Sequence, residues 1–170
     1  MTATALYGSL VIGAVAVLQS TVLRFVEIAG VSPDLVLIIV IFLANKNGSM
    51  TGQVAGFVAG AVLDMLGLAP LGFHALVFTL LGALYGLTRG KMFVDPIFVP
   101  VIMTVVAMLL KAAIALIVAA LFAIESVSAQ VFSSRYLIEI AYTGLLGPLV
   151  FGLLGFVRRL QPDRRRGEIV

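Results

Sequence analysis

Apolar residues run along this chain in long blocks, separated by short breaks that hold its polar, glycine and proline residues. A helix that crosses the hydrocarbon core of a bilayer needs about 20 mostly apolar residues. Five blocks meet or approach that length: a first over roughly 5–23, a third over 52–68, a fourth over 71–88, a fifth and longest over 97–124, and a sixth over roughly 136–157. A shorter second run, 35–44, lies between the first and the third. Ser32-Pro33-Asp34 before it has the form of a helix start, with Ser32 as cap, Pro33 in the first turn and Asp34 at the positive end of the dipole. Asn45-Lys46-Asn47-Gly48 after it is a turn. The helix between holds about 13 residues, or about 20 Å, short of a core about 30 Å thick. It is a short span or a re-entrant element, and the tight return into the third block favours a span.

Composition agrees with the pattern. The chain has 170 residues, of which 62% are hydrophobic and 11% charged, with a mean hydropathy of +1.20. Soluble domains carry about 25% charged residues, so an ordinary water-soluble globule is excluded. The expected fold is an all-α polytopic membrane protein with six transmembrane helices in one domain, 1–157, followed by a short basic tail, 158–170. The first block lacks the basic stretch that precedes a cleaved signal sequence and reads as a retained helix.

Loop charges set the orientation. With six spans, one side holds Lys46, Arg89, Lys91, Arg158, Arg159, Arg164, Arg165 and Arg166, and the other only Arg24 and Arg135. That places both termini in the cytoplasm. A five-span alternative moves Arg24 inward and leaves the C-terminus cytoplasmic. The basic tail reads as a topology anchor, a kind of cluster that can attract anionic lipid, with a protein-docking tail as the alternative.

Lipid gives apolar helices no reason to associate, so small residues that allow close backbone approach mark the packing faces. Gly52, Gly56, Gly60 and Asp64 recur every fourth residue in the third block, and Gly82, Gly86 and Gly90 in the fourth. The sixth holds Gly144, Gly147, Pro148, Gly152 and Gly155, with a bend expected at Pro148. These rows read first as packing within the chain; a seam for a second copy or for a partner's helix is the alternative.

Lys111 lies fifteenth in the stretch 97–123, near the middle of its span. A charge there costs about 2.5–3.5 kcal/mol even on a lenient insertion scale, so it should face inward against a carboxylate. Asp34, Asp64 and Glu139 fall in the same half of the bilayer as Arg24, Gln19 and His74, and Asp64 is the first choice of partner. The cluster reads as a register-fixing ion pair, with a ligand or ion site or a contact for another protein's helix as alternatives. His74 reads as a hydrogen-bonded helix-end residue.

Chemistry is sparse. The chain has no Cys and one His, which removes disulfides, thiolate metal sites and multi-His zinc sites. It has no phosphate-binding glycine loop, nucleophile elbow or zinc-helix motif. No string of His, Asp and Glu runs along one helix as an ion pump's relay would. The expectation is a non-enzyme without cofactor or metal.

Pro33-Asp34-Leu35-Val36-Leu37, Gly56-Phe57-Val58-Ala59-Gly60-Ala61-Val62-Leu63-Asp64, and Pro70-Leu71-Gly72-Phe73-His74-Ala75-Leu76, preceded by Leu18-Gln19-Ser20-Thr21, resemble the MreD family of rod shape-determining membrane proteins in order and spacing. The motif positions are Pro33, Asp34, Gly56, Gly60, Asp64, Pro70, Gly72 and His74; Lys111 belongs to none. The resemblance implies a non-catalytic, multi-pass bacterial inner-membrane component of the cell elongation machinery. Its partner would be an MreC-type bitopic protein, and through it the MreB filament, RodZ, the RodA glycosyltransferase and its penicillin-binding partner, with no nucleic acid. It also implies a fold similar to the substrate-binding subunits of energy-coupling-factor transporters. Two functions follow as expectations: a scaffold that positions peptidoglycan synthesis, or a substrate-binding transporter subunit whose pocket is the polar cluster.

Overall fold

The structure, a computed structural model, describes residues 27, 30–67, 70–89, 97–123, 127 and 130–156. The first block with Gln19 and Arg24, the residues around Gly90, and the basic tail lie outside them. The described residues form five helices and no strand: α1 Leu35–Asn47, α2 Ser49–Leu66, α3 Phe73–Gly86, α4 Phe98–Leu121 and α5 Ser134–Phe156. Of these, α2, α4 and α5 are long and apolar enough to cross a membrane, while α1 and α3 are shorter apolar helices.

The short second run forms the centre of the bundle. Residues 36–45 are buried without a break, and α1 touches each of the other four helices. A helix apolar all round has no preferred wet side and belongs inside. The cap expected at Ser32 stands at Asp34: Pro33 precedes the helix, which begins at Leu35, and the Asp34 carboxylate accepts the Leu37 amide at 2.9 Å, an N-cap for amides that no helical carbonyl can reach. The turn expected over 45–48 contracts to Gly48, because the helix continues through Asn47; Gly48 takes φ +93° and donates its amide to the Ala44 carbonyl at 2.8 Å. This left-handed position suits glycine, and it lets α2 begin at Ser49.

The helices α2 and α3 run antiparallel with their glycines facing. Gly52 lies against Gly82, Gly56 against Phe78, Gly60 against Ala75, and Gly86 against Ser49. A Cβ built on Gly56 would sit 2.6 Å from the carbonyl carbon of Phe78, and one on Gly52 2.6 Å from Cβ of Ala44. The backbones are so close that these five glycines serve packing within the chain and present no seam to a partner. The row on α5 splits. Added Cβ atoms on Gly144 and Gly147 would meet Val105 Cγ2 at 2.9 Å and Thr104 Oγ1 at 2.7 Å on α4, whereas one on Gly152 meets nothing within 4 Å. Gly152 is therefore no part of the α4–α5 contact. Pro148 stands inside α5, where it has no amide to give the carbonyl of Gly144.

Large apolar side chains point outward. On α4, Phe98, Ile102, Val106, Leu109, Ile117 and Leu121 form one exposed stripe; Leu76, Leu80 and Leu84 on α3 and Leu145, Leu149, Leu153 and Phe156 on α5 form others. On α2 the buried residues are Gly52, Ala55, Gly56, Ala59, Gly60 and Asp64, and Met50, Phe57 and Met65 are exposed. Small residues inside and bulky ones outside suit a hydrocarbon solvent, where tight packing, and not the burial of greasy surface, brings helices together.

Candidate functional site

The polar residues concentrate at the end of the bundle where α1, α3 and α5 begin and α2 ends. Lys111, part-way along α4, reaches it from the side. Its Nζ lies 2.6 Å from Oδ2 of Asp34 and 3.6 Å from Oε1 of Glu139, and 5.7 Å from the centre of the Phe78 ring, within cation–π range. The Asp34 carboxylate thus divides its work: Oδ1 caps α1 and Oδ2 takes the ammonium. The Asp34 amide donates to Oγ1 of Thr143 at 3.1 Å, which ties the start of α1 to α5. Tyr136, on the opening turn of α5 and just ahead of Glu139, donates its hydroxyl to the Met108 carbonyl at 2.6 Å and so ties α5 to α4.

The pairing expected between Lys111 and Asp64 does not form. Asp64 ends α2 facing the first turn of α3, and that turn takes up both of its oxygens. Oδ2 accepts the amides of Gly72 and Ala75 at 2.9 and 3.1 Å, and Oδ1 accepts the His74 amide at 2.9 Å and lies 2.8 Å from His74 Nδ1. Gly72, at φ +93°, turns the chain so that these amides converge. Asp64 therefore caps a helix other than its own, at the positive end of that helix's dipole. A carboxylate oxygen beside Nδ1 calls for a donor there, so the second ring nitrogen of a neutral His74 is left as the acceptor. The His74 ring also stands edge-on to Phe73, with centres 5.4 Å apart.

A cavity of about 560 Å³ opens beside these groups, lined by Asp34, His74, Lys111, Arg135 and Glu139 among others. The candidates Asp34, Lys111 and Glu139 thus meet directly, and Asp64 with His74 forms a second centre beside them. Arg24 and Gln19 lie outside the described residues. Three hydrogen-bonding side chains have no role in the sequence reading: Thr143, Tyr136 and Tyr85, whose hydroxyl donates to the Met103 carbonyl at 2.6 Å; Asn45, read there as a turn residue, is helical and donates its amide to Thr88 Oγ1 at 3.0 Å at the far end of the bundle. These side chains carry no formal charge, so nothing in a linear reading separates them from ordinary span residues.

Among the described residues, the buried side-chain nitrogens and oxygens all have hydrogen-bond partners, and no group of three His, Cys, Asp or Glu side chains could hold a metal. The hydroxyls of Thr79, Thr88 and Thr104 donate to backbone carbonyls one turn back. The geometry is that of caps and ion pairs that hold helix ends in register.

A family model described as rod shape-determining protein MreD matches residues 3–157. The chain belongs to the MreD family. No curated protein and no solved structure matches it. MreD-family proteins are rod shape-determining membrane proteins, and the three long apolar helices fit that setting. Of the positions on which the resemblance was read, Asp34 and Asp64 carry the two caps, Gly72 the turn between α2 and α3, and Gly56 and Gly60 the close approach of those helices.

Proposed function

We propose that this MreD-family chain is a non-catalytic scaffold of the bacterial inner membrane, which holds an MreC-type bitopic partner and helps position peptidoglycan synthesis along the growing cell. The family match over 3–157 carries this reading. The site supports it, because its charged groups are engaged in fixing helix ends and no nucleophile–base pair stands among the described residues. In this reading the chain has six spans with both termini in the cytoplasm. The first block and α1 are the first two spans, and the bundle has the architecture of an energy-coupling-factor substrate-binding subunit. The outward apolar stripes of α3, α4 and α5 offer faces to a partner's helix or a second copy, and the MreB filament, RodZ, RodA and its penicillin-binding partner are reached through the MreC-type protein.

The experiment is purification of the tagged full-length chain from native membranes. An MreC-type protein should accompany it at near-equal amount; its absence, under conditions where the chain stays folded, overturns the scaffold reading. The cavity of about 560 Å³ favours one second reading, a substrate-binding transporter subunit. That protein would retain a small soluble molecule and an energising partner in the same purification.

A further inference from the structure

The short central helix leaves a recess at the polar end of the bundle. Lys111, which holds Asp34 at 2.6 Å, lies about 15 Å along α4 from its end at Leu121, so the start of α1 is set back from that end. The cavity of about 560 Å³ occupies the recess. Asp34 and Lys111 line its floor, and Gly30, Ser32, Gln130 and Ser133 come from the stretches that precede α1 and α5. Its mouth is therefore among the helix ends, where a bundle in a membrane meets water.

The charges along its wall are only half used. Among the described residues four charged side chains line the cavity, Asp34 and Glu139 against Lys111 and Arg135. Asp34 and Lys111 satisfy each other. Glu139 stands 3.6 Å from Lys111 Nζ, well beyond the about 2.7–2.9 Å of a charge-assisted hydrogen bond. Arg135 is one turn ahead of Glu139 on α5, at a spacing where opposite charges are neighbours. Yet it takes part in none of the ion pairs among the described residues. A carboxylate and a guanidinium thus face one cavity on one helix, each with capacity for a further partner.

We propose that this cavity binds a soluble α-amino acid from the water at that face, its ammonium on Glu139 and its carboxylate on Arg135. The balance of the wall selects a zwitterion. Two anions and two cations leave no net charge, so a ligand of net charge would enter a half-buried space without compensation. A primary ammonium supplies the donors that Glu139 lacks, and a carboxylate accepts both arms of a guanidinium. The volume lies within the about 300–1,000 Å³ of small-molecule sites and leaves room for a side chain. The proposal goes beyond the scaffold reading and does not rest on it, since a scaffold and a transporter subunit can each hold such a ligand.

The test uses the full-length chain in detergent, dialysed free of small molecules and titrated calorimetrically with each of the standard amino acids. At least one should bind saturably with a Kd below about 1 mM. Its N-acetyl derivative, which has no ammonium, and its methyl ester, which has no carboxylate, should each bind about tenfold more weakly, the factor expected of one charged hydrogen bond. Glu139→Gln should erase the preference over the N-acetyl form alone. Arg135→Gln, at an exposed position that spares the fold, should erase the preference over the methyl ester alone, a split that general loosening of the bundle would not produce. If Glu139→Gln fails to fold, the Arg135 variant decides. No saturable binding by any amino acid, equal binding of either derivative, or an Arg135→Gln protein that keeps its preference over the ester overturns the proposal. So does tighter binding of phosphoethanolamine than of every amino acid, which would assign the anion to a phosphate. Co-purification of the MreC-type partner is read separately, so absence of amino-acid binding with that partner retained removes this site and leaves the scaffold reading intact.

Discussion

Lys111 is the most exacting test of how this bundle is held together. Its ammonium and the Asp34 carboxylate, 2.6 Å apart, attract by about 6 kcal/mol at an effective dielectric constant of about 20. Most of that is offset by the cost of taking both charges out of water. The net effect of a change therefore depends on which charges remain. Lys111→Met leaves Asp34 and Glu139 facing each other without a cation and should cost about 4 kcal/mol, within the range for a broken buried pair. Asp34→Asn keeps an N-cap oxygen for Leu37 and leaves Lys111 with Glu139, so it should cost only about 2 kcal/mol, that of one charged hydrogen bond. The double variant removes both partners and should lose about 4 kcal/mol in place of the additive sum of about 6, a coupling of about 2 kcal/mol. The assay is reversible unfolding of the four proteins in mixed micelles. Additivity to within about 0.5 kcal/mol would refute the pair. The cycle of Lys111→Met with Asp64→Asn is the internal control and should be additive, because Asp64 spends its oxygens on α3.

Gly56→Leu should lower stability by about 3 kcal/mol or prevent folding, since overpacking costs about 1–3 kcal/mol even without a backbone in the way; Gly152→Ala, in open space, should stay within about 0.5 kcal/mol in the same unfolding assay. Asp64→Ala strips the acceptor from three amides and His74 and should cost about 3 kcal/mol, with the loss of amide-exchange protection centred on residues 72–75. Thr143→Val keeps the shape and removes the oxygen that receives the Asp34 amide; a loss of about 1–3 kcal/mol is expected in thermal unfolding, and no change would show that water replaces the bond.

Much of the described fold is legible in the hydropathy pattern, because each block long enough to cross lipid has to satisfy its own backbone as a helix. The helix at 35–47 is visible from the apolar run and the polar breaks on either side, although its cap is Asp34 in place of Ser32 and it runs through Asn45–Asn47 in place of a turn; its central place is not visible, because apolar residues on all sides announce burial without naming the neighbours. The glycine rows coincide with the close approach of α2 and α3, where spacing of four on both helices lets them interlock. They overreach at Gly152, which continues the row beyond the end of the contact. The charge pair is half legible. Burial demands a carboxylate for Lys111, and the sequence places Asp34 at the helix dipole, yet a carboxylate has two oxygens and Asp34 both caps the helix and takes the ammonium. Asp64 looks available in the sequence because its main donors, the amides of residues 72, 74 and 75, belong to the backbone and leave no mark in the order of side chains.

The brevity of α1 has a consequence for biogenesis. Thirteen residues give about 20 Å of helix, against about 30 Å of hydrocarbon, so a nascent chain that has reached only this point exposes a segment too short to settle alone. The cation that anchors its carboxylate, Lys111, is 77 residues further along, and its threonine clasp further still. The innermost helix packs first against α2 and α3, which follow it directly, but its acidic end is secured last, and a ribosome stalled before residue 111 would leave in the membrane a fragment whose Asp34 still awaits the lysine.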